Sequence, residues 1–123
     1  MLELLSGYPD DTVAVRAHGV IEPEDYTGVL IPAFDAARQH AEHVNVLMVI
    51  GPEFESYSAG ALWDDAKFGA GHMTGWGRIA LVSDHEWARW AVGVGKVFMP
   101  GHLRHFPLAA LDEARGWVAR TPA

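Results

Sequence analysis

The chain has 123 residues, half of them hydrophobic and a fifth charged, which suits one ordered domain and is too apolar for a disordered linker. Its formal net charge is −7 and its basic residues are scattered, so a nucleic-acid partner is not expected. The absence of cysteine excludes a disulfide framework, a thiol nucleophile and Cys-containing zinc or iron–sulfur sites.

Met1 to Gly7 carries Glu3 and has no basic segment followed by a long apolar run, so it does not read as a secretory signal and cytoplasmic residence is the expectation. Leu2 to Ser6 and Thr12 to His18 are β-prone runs separated by the turn formers Gly7, Pro9, Asp10 and Asp11, which predicts an antiparallel hairpin. From Glu22 to His43, Tyr26, Leu30, Phe34, Ala37 and Ala41 recur at helical spacing and predict a first helix. Pro32 lacks the amide that would bond the Gly28 carbonyl, so a kink is expected between Gly28 and Pro32.

Val44 to Ile50 is apolar except for Asn45 and is followed by Gly51 and Pro52, the pattern of a central strand buried on both faces; it is far too short to span a bilayer. Ser58 to Gly71 predicts a second helix with Ala59, Leu62, Trp63, Ala66 and Ala70 on one face and Ser58 as cap. Arg78 to Val82 is the next strand, expected beside Val44 to Ile50 and parallel to it. Ser83 and Glu86 then form an S-x-x-E capping box. The third helix is expected to turn Trp87, Trp90, Ala91, Val94, Val97 and Phe98 inward and to stop at Pro100 and Gly101. His102 to Phe106 makes a last strand, and Leu111, Ala114, Trp117 and Val118 line a last helix.

The order β-β-α-β-α-β-α-β-α predicts an α/β fold with a mixed, mainly parallel five-stranded sheet. Clustered acids at Glu22, Glu24 and Asp25, at Asp84 and Glu86, and at Asp112 and Glu113 all fall near predicted helix starts, where they offset the helix dipole.

No motif for catalysis emerges. His40 with His43 and His102 with His105 lack a carboxylate at a recognised ligand spacing, so no metal site is expected. Gly93-Val94-Gly95-Lys96 lacks the full phosphate-loop spacing and lies within a helix, so no nucleotide or other cofactor is expected. Ser56 and Ser58 have no nucleophile-elbow sequence around them, and adjacent Asp64 and Asp65 diverge on a helix. More informative is the aromatic and methionine cluster Phe54, Tyr57, Trp63, Phe68, Met73 and Trp76, interrupted by five glycines. Trp63 lies on the apolar stripe, which favours a cap on the sheet. Phe68 and Met73 lie off that stripe, which leaves them available to a ligand, a partner or a membrane surface. With Trp90 and Phe98 of the third helix, these residues form the candidate lining of an apolar cavity.

The order of elements, with Leu62-Trp63-Asp64-Asp65, Arg78-Ile79-Ala80-Leu81-Val82 followed by Trp87, then Phe106 and Glu113-Ala114 with Trp117, resembles the SpoIIAA-like family of STAS-related proteins. The resemblance covers nearly the whole chain and implies a layered β–α superhelix, shared with anti-sigma-factor antagonists and similar to the CRAL-TRIO lipid-transfer fold. In the antagonists, a serine in an Asp-Ser-Ser-Gly-like loop at the start of the second helix is phosphorylated. Here the stretch is Glu55-Ser56-Tyr57-Ser58-Ala59-Gly60, without the paired serines or the preceding aspartate. The expected function is a non-enzymatic binding module for an apolar or amphipathic small molecule, a lipid included. The alternative is a regulatory protein-interaction domain switched at Ser56 or Ser58. A protein partner, peripheral membrane contact and a homodimer are all compatible with the sequence.

Overall fold

The structure is a computed structural model and describes residues 1–58, 60, 76–98 and 103–119. Five strands form one sheet: β1 Leu2–Leu4, β2 Thr12–Ile21, β3 Val44–Tyr57, β4 Trp76–Ser83 and β5 Leu103–Phe106. Their spatial order is β1-β2-β3-β4-β5, with β1 antiparallel to β2 and every other pair parallel. Sequence order and spatial order therefore coincide, as short connections favour. Val44 to Ile50 and Arg78 to Val82 are adjacent and parallel as expected, with Val46 opposite Ile79 and Val49 opposite Val82.

Alternation along the strands divides the core between the two sheet faces. One face buries Val13, Val15, Ala17, Val46 and Ile50 against Tyr26, Leu30, Phe34 and Ala37 of the first helical segment. The other buries Ala14, Leu47, Val49, Ala80, Val82 and Phe106 against Ala114 and Val118. These last two residues belong to the C-terminal helix Leu111–Val118, which follows a 3-10 turn at Leu108–Ala110. Arg78 fastens that helix, because its Nη1 donates to the Trp117 carbonyl at 2.9 Å while its guanidinium lies 5.2 Å from the indole centre.

The helix expected from Glu22 to His43 is divided and shorter. It consists of α1 Pro23–Asp25, a π-helical turn Tyr26–Leu30 and α2 Ile31–Arg38. The Ile31 amide donates to the Tyr26 carbonyl, five residues back. This widened turn lies where the kink was expected and accommodates Pro32, whose ring would collide with a regular preceding turn. Asp25 caps the start: its carboxylate accepts from the Glu22 amide at 2.7 Å and from the Leu2 amide at 3.1 Å, tying edge strand β1 to the helix.

Three other expectations are corrected. First, Gly51 and Pro52 do not end the third strand, which runs on to Tyr57. Pro52 is tolerated because β3 has there passed its last β4 partner, Ser83 opposite Ile50. The pairing with β2 also slips there, from Ala17–Ile50 to Gly19–Phe54, and Gly19 adopts φ 58° within that irregularity. Secondly, the helix Glu86–Phe98, here α3, buries Ala88 and Val92, whereas Trp90 is 72 % exposed and Trp87 39 % exposed. Small residues bring a helix close to its support, so Ala88 and Val92 rather than Trp87 and Trp90 face inward, while the side chains of Val94, Val97 and Phe98 lie outside the described residues. Thirdly, Ser83 is no N-cap: its hydroxyl accepts from the His85 amide, two residues on, at 3.1 Å, before the helix begins.

The polar interruption Asn45 also finds its reason. Between Val44–Trp76 and Val46–Ile79, strand β4 carries one extra residue, a β-bulge. The buried Asn45 side chain fills it, and its Oδ1 accepts from the Arg78 amide at 2.8 Å.

The second helix expected over Ser58 to Gly71 lies outside the described residues, apart from Ser58 and Gly60.

Candidate functional site

The described chemistry-bearing residues gather at the carboxyl ends of the central parallel strands, where ligands of open α/β sheets bind. Beyond the Ile50–Ser83 pair, β3 continues while the chain leaving β4 turns through Asp84 and His85 into α3. The divergence opens a cleft of about 290 Å³ lined by Ile50, Gly51, Pro52, Asp84, His85 and Leu108. Ile50, Pro52 and Leu108 make it apolar, while Asp84 and His85 supply a polar margin.

Local hydrogen bonds set that margin. The Ser83 hydroxyl orients the His85 amide, and the Asp84 carboxylate accepts from the Leu108 amide at 3.0 Å, joining the two sides of the cleft. His105 Nε2 lies 2.7 Å from the Ser83 carbonyl, which can only accept, so this nitrogen carries the proton. Beside the cleft stand three rings. Phe54 is edge-on to His85 at 5.9 Å, His85 stacks on Trp87 at 5.9 Å, and Phe54 lies 5.7 Å from Trp87. Such spacings are favourable aromatic contacts and give the site an aromatic wall in which the His85 ring also belongs to the polar margin.

Ser83 is fully buried with its hydroxyl engaged by the His85 amide, and His105 directs Nε2 at the Ser83 carbonyl. Among the described residues, no three His, Cys, Asp or Glu side chains could hold a metal ion.

The structure brings together some of the expected site residues and separates others. Phe54 is in the ring cluster; Ser56, exposed and opposite Val20, and Ser58, half-buried with its amide donating to the Ile21 carbonyl at 2.9 Å, follow at the same end of β3. Trp76 is at the other end, opposite Val44 and 4.7 Å from the Phe34 ring, roughly 30 Å from Phe54 by strand rise. Trp90 points to solvent on α3. Trp63, Phe68 and Met73 lie outside the described residues, as do the side chains of Tyr57 and Phe98. Sequence reasoning missed Asp84, His85 and Leu108. The available signal was turn residues at the carboxyl ends of two strands expected to be adjacent.

A mostly parallel sheet in strict chain order with intervening helices is a STAS-type α/β architecture. The SpoIIAA-like family profile matches residues 12–119, and the chain belongs to that family. It is similar in structure to an uncharacterized protein with a SpoIIAA-like fold from Shewanella loihica, with 25 % identity, a TM-score of 0.70 and coverage of 96 % of this chain and 92 % of that one. It is also similar to the anti-sigma factor antagonist SpoIIAA in its unphosphorylated form, with 16 % identity, a TM-score of 0.51 and coverage of 94 % and 99 %. A search of curated proteins gave no match. No helix among the described residues is long and apolar enough to cross a membrane.

Proposed function

We propose that the protein acts by binding rather than by catalysis, and that it takes an apolar or amphipathic small molecule, such as one end of an acyl chain, in the cleft between β3 and β4. The observation that carries this reading is the Phe54–His85–Trp87 ring wall standing beside an apolar cleft with one polar margin. About 290 Å³ is at the lower limit of ligand pockets, which suits a short chain segment or a flat ring. Each buried methylene contributes about 0.8 kcal/mol, so about five to ten buried carbons correspond to millimolar to micromolar affinity.

The test uses a dansylated fatty acid as probe. Energy transfer from Trp87 to the bound dansyl group is expected, and Phe54→Ala should weaken binding about tenfold while leaving the fold intact. Native mass spectrometry of protein from its own host should show a retained lipid. No transfer in the wild type, together with an empty protein in the mass spectrum, would overturn the reading.

A second reading is a regulatory protein-interaction domain switched by phosphorylation. It is favoured by exposed Ser56 beside Phe54, where a phosphate of about −2 charge would stand next to Glu53 and Glu55. Ser56→Asp and Ser58→Asp should then alter partner binding without lowering stability. Unchanged binding in both variants, measured against a purified partner, would remove it.

A further inference from the structure

Both walls of the cleft carry a carboxylate. On the β4 side Asp84 lines it; the Leu108 amide donates to Oδ1 at 3.0 Å, whereas Oδ2 accepts no hydrogen bond from a described residue. On the β3 side Glu53 folds back over Gly51. A Cβ at Gly51 would lie 2.9 Å from Glu53 Oε2, so only a glycine lets that carboxylate rest against the cleft wall.

The neighbouring cations leave the sign of this margin unchanged. Arg16 Nη1 lies 3.5 Å from Glu53 Oε1 and offsets it, while exposed Glu86 and Arg89, three residues apart on α3, offset one another. The charge of Asp84 remains, in a chain of net charge −7. Next to Asp84 in the same turn, His85 begins the ring wall with Phe54 and Trp87, and Trp87 is 39 % exposed and within reach of a ligand. A carboxylate beside aromatic rings at the mouth of an apolar cleft suits an alkylated ammonium. The anion supplies the opposite charge, the ring quadrupole attracts the cation, and the cleft takes the chain.

We propose that the polar end of the ligand is a cation, an ammonium group at the head of an alkyl chain, seated between Asp84 Oδ2 and the Phe54–His85–Trp87 wall. The proposal rests on the reading of the cleft as a binding site and adds the charge of the head group. A carboxylate head would face Asp84 and, across Gly51, Glu53, and would be repelled by both. An alcohol head gains neither the charge contact nor the attraction of the rings.

The test compares octyltrimethylammonium, octanoate and octanol by isothermal titration calorimetry at about pH 8, above the range in which an imidazole ordinarily charges. The ammonium compound should bind at least about tenfold tighter than octanoate and about threefold tighter than octanol. In Asp84→Asn the amide oxygen can still accept from the Leu108 amide, so the melting temperature should be unchanged while the advantage of the ammonium over octanol disappears. Trp87→Ala should weaken the ammonium compound more than octanol. A further measurement needs no variant: raising salt from about 0.05 M to about 0.5 M should shrink the ammonium preference without weakening octanol. Equal affinity for the three compounds, tightest binding by octanoate, or a preference untouched by both Asp84→Asn and salt overturns the proposal and leaves the cleft as an apolar site. Binding by none of the three removes the cleft reading and this proposal with it.

Discussion

Replacing Gly77 by alanine tests the packing that holds β3 and β4 in register. The new methyl would overlap Asn45 Oδ1 and lie 3.3 Å from the Val44 carbonyl carbon. Asn45 is only 3 % exposed and cannot swing into solvent, so its amide must rotate and release the Arg78 amide it holds at 2.8 Å. Leaving that donor unpaired costs about 1–3 kcal/mol, and an off-rotamer asparagine about 0.5–1.5 kcal/mol. The sum, about 2–4 kcal/mol, should lower the melting temperature by about 10 °C for a domain of this size. Urea unfolding of Gly77→Ala, Asn45→Ala and the double variant gives the assay. With Asn45 already truncated there is no carbonyl to strike, so Gly77→Ala should then cost about 1 kcal/mol, a coupling of about 1–3 kcal/mol. Equal costs in the two backgrounds would refute the reasoning, as would a Gly77→Ala melt within about 2 °C of wild type.

Asp25→Ala removes the acceptor that ties Leu2 of β1 to the first helix and the one that caps the Glu22 amide, and should cost about 1–3 kcal/mol in denaturant unfolding; a change under about 0.3 kcal/mol would show the cap to be dispensable. Ser83→Ala should cost about 1 kcal/mol, whereas Glu86→Ala should stay within about 0.5 kcal/mol, because the serine bonds His85 rather than a capping-box partner. Equal losses would restore the capping box. Burial pushes the Tyr8 phenol above its ordinary value of 10.0, against the lowering effect of Arg115 and Arg16. The unfolded chain then loses this proton first. The stability Tyr8 contributes is complete below about pH 10 and falls as pH rises through the higher folded value. Tyr8→Phe should flatten the decline of melting temperature above that pH, and an unaltered slope would refute the assignment.

Much of the fold could be read from residue patterns because the signals were local. Tyr26, Leu30, Phe34 and Ala37 repeat at helical spacing and are all buried, and Pro32 announces the irregular turn before it. Where two local readings competed, the wrong one prevailed. On α3 both an aromatic stripe and a small-residue stripe recur at helical spacing, and periodicity cannot rank them. Gly51-Pro52 reads as a strand end because proline lacks a ladder donor, yet at this position no ladder donor is required.

The candidate site was legible only in fragments. Phe54 and the serines at 56 and 58 were singled out from composition and resemblance, but Trp76, grouped with them by proximity in sequence, belongs to the opposite end of β3. A strand carries residues apart at about 3.3 Å each, so closeness along the chain does not bring side chains together. Asp84, His85 and Leu108 come from two different connections, and their meeting depends on where β3, β4 and β5 end relative to one another.

The sequence by itself determined the order of the five strands, the parallel central pair and the location of the first helix's irregularity, since each depends on side-chain period or on proline's missing amide. Tertiary structure alone decided which face of α3 meets the sheet, how far β3 outruns β4, and that Asn45 fills a bulge opposite Gly77. Those outcomes are set by the fit of surfaces distant in the chain, where a methyl group's width selects the register.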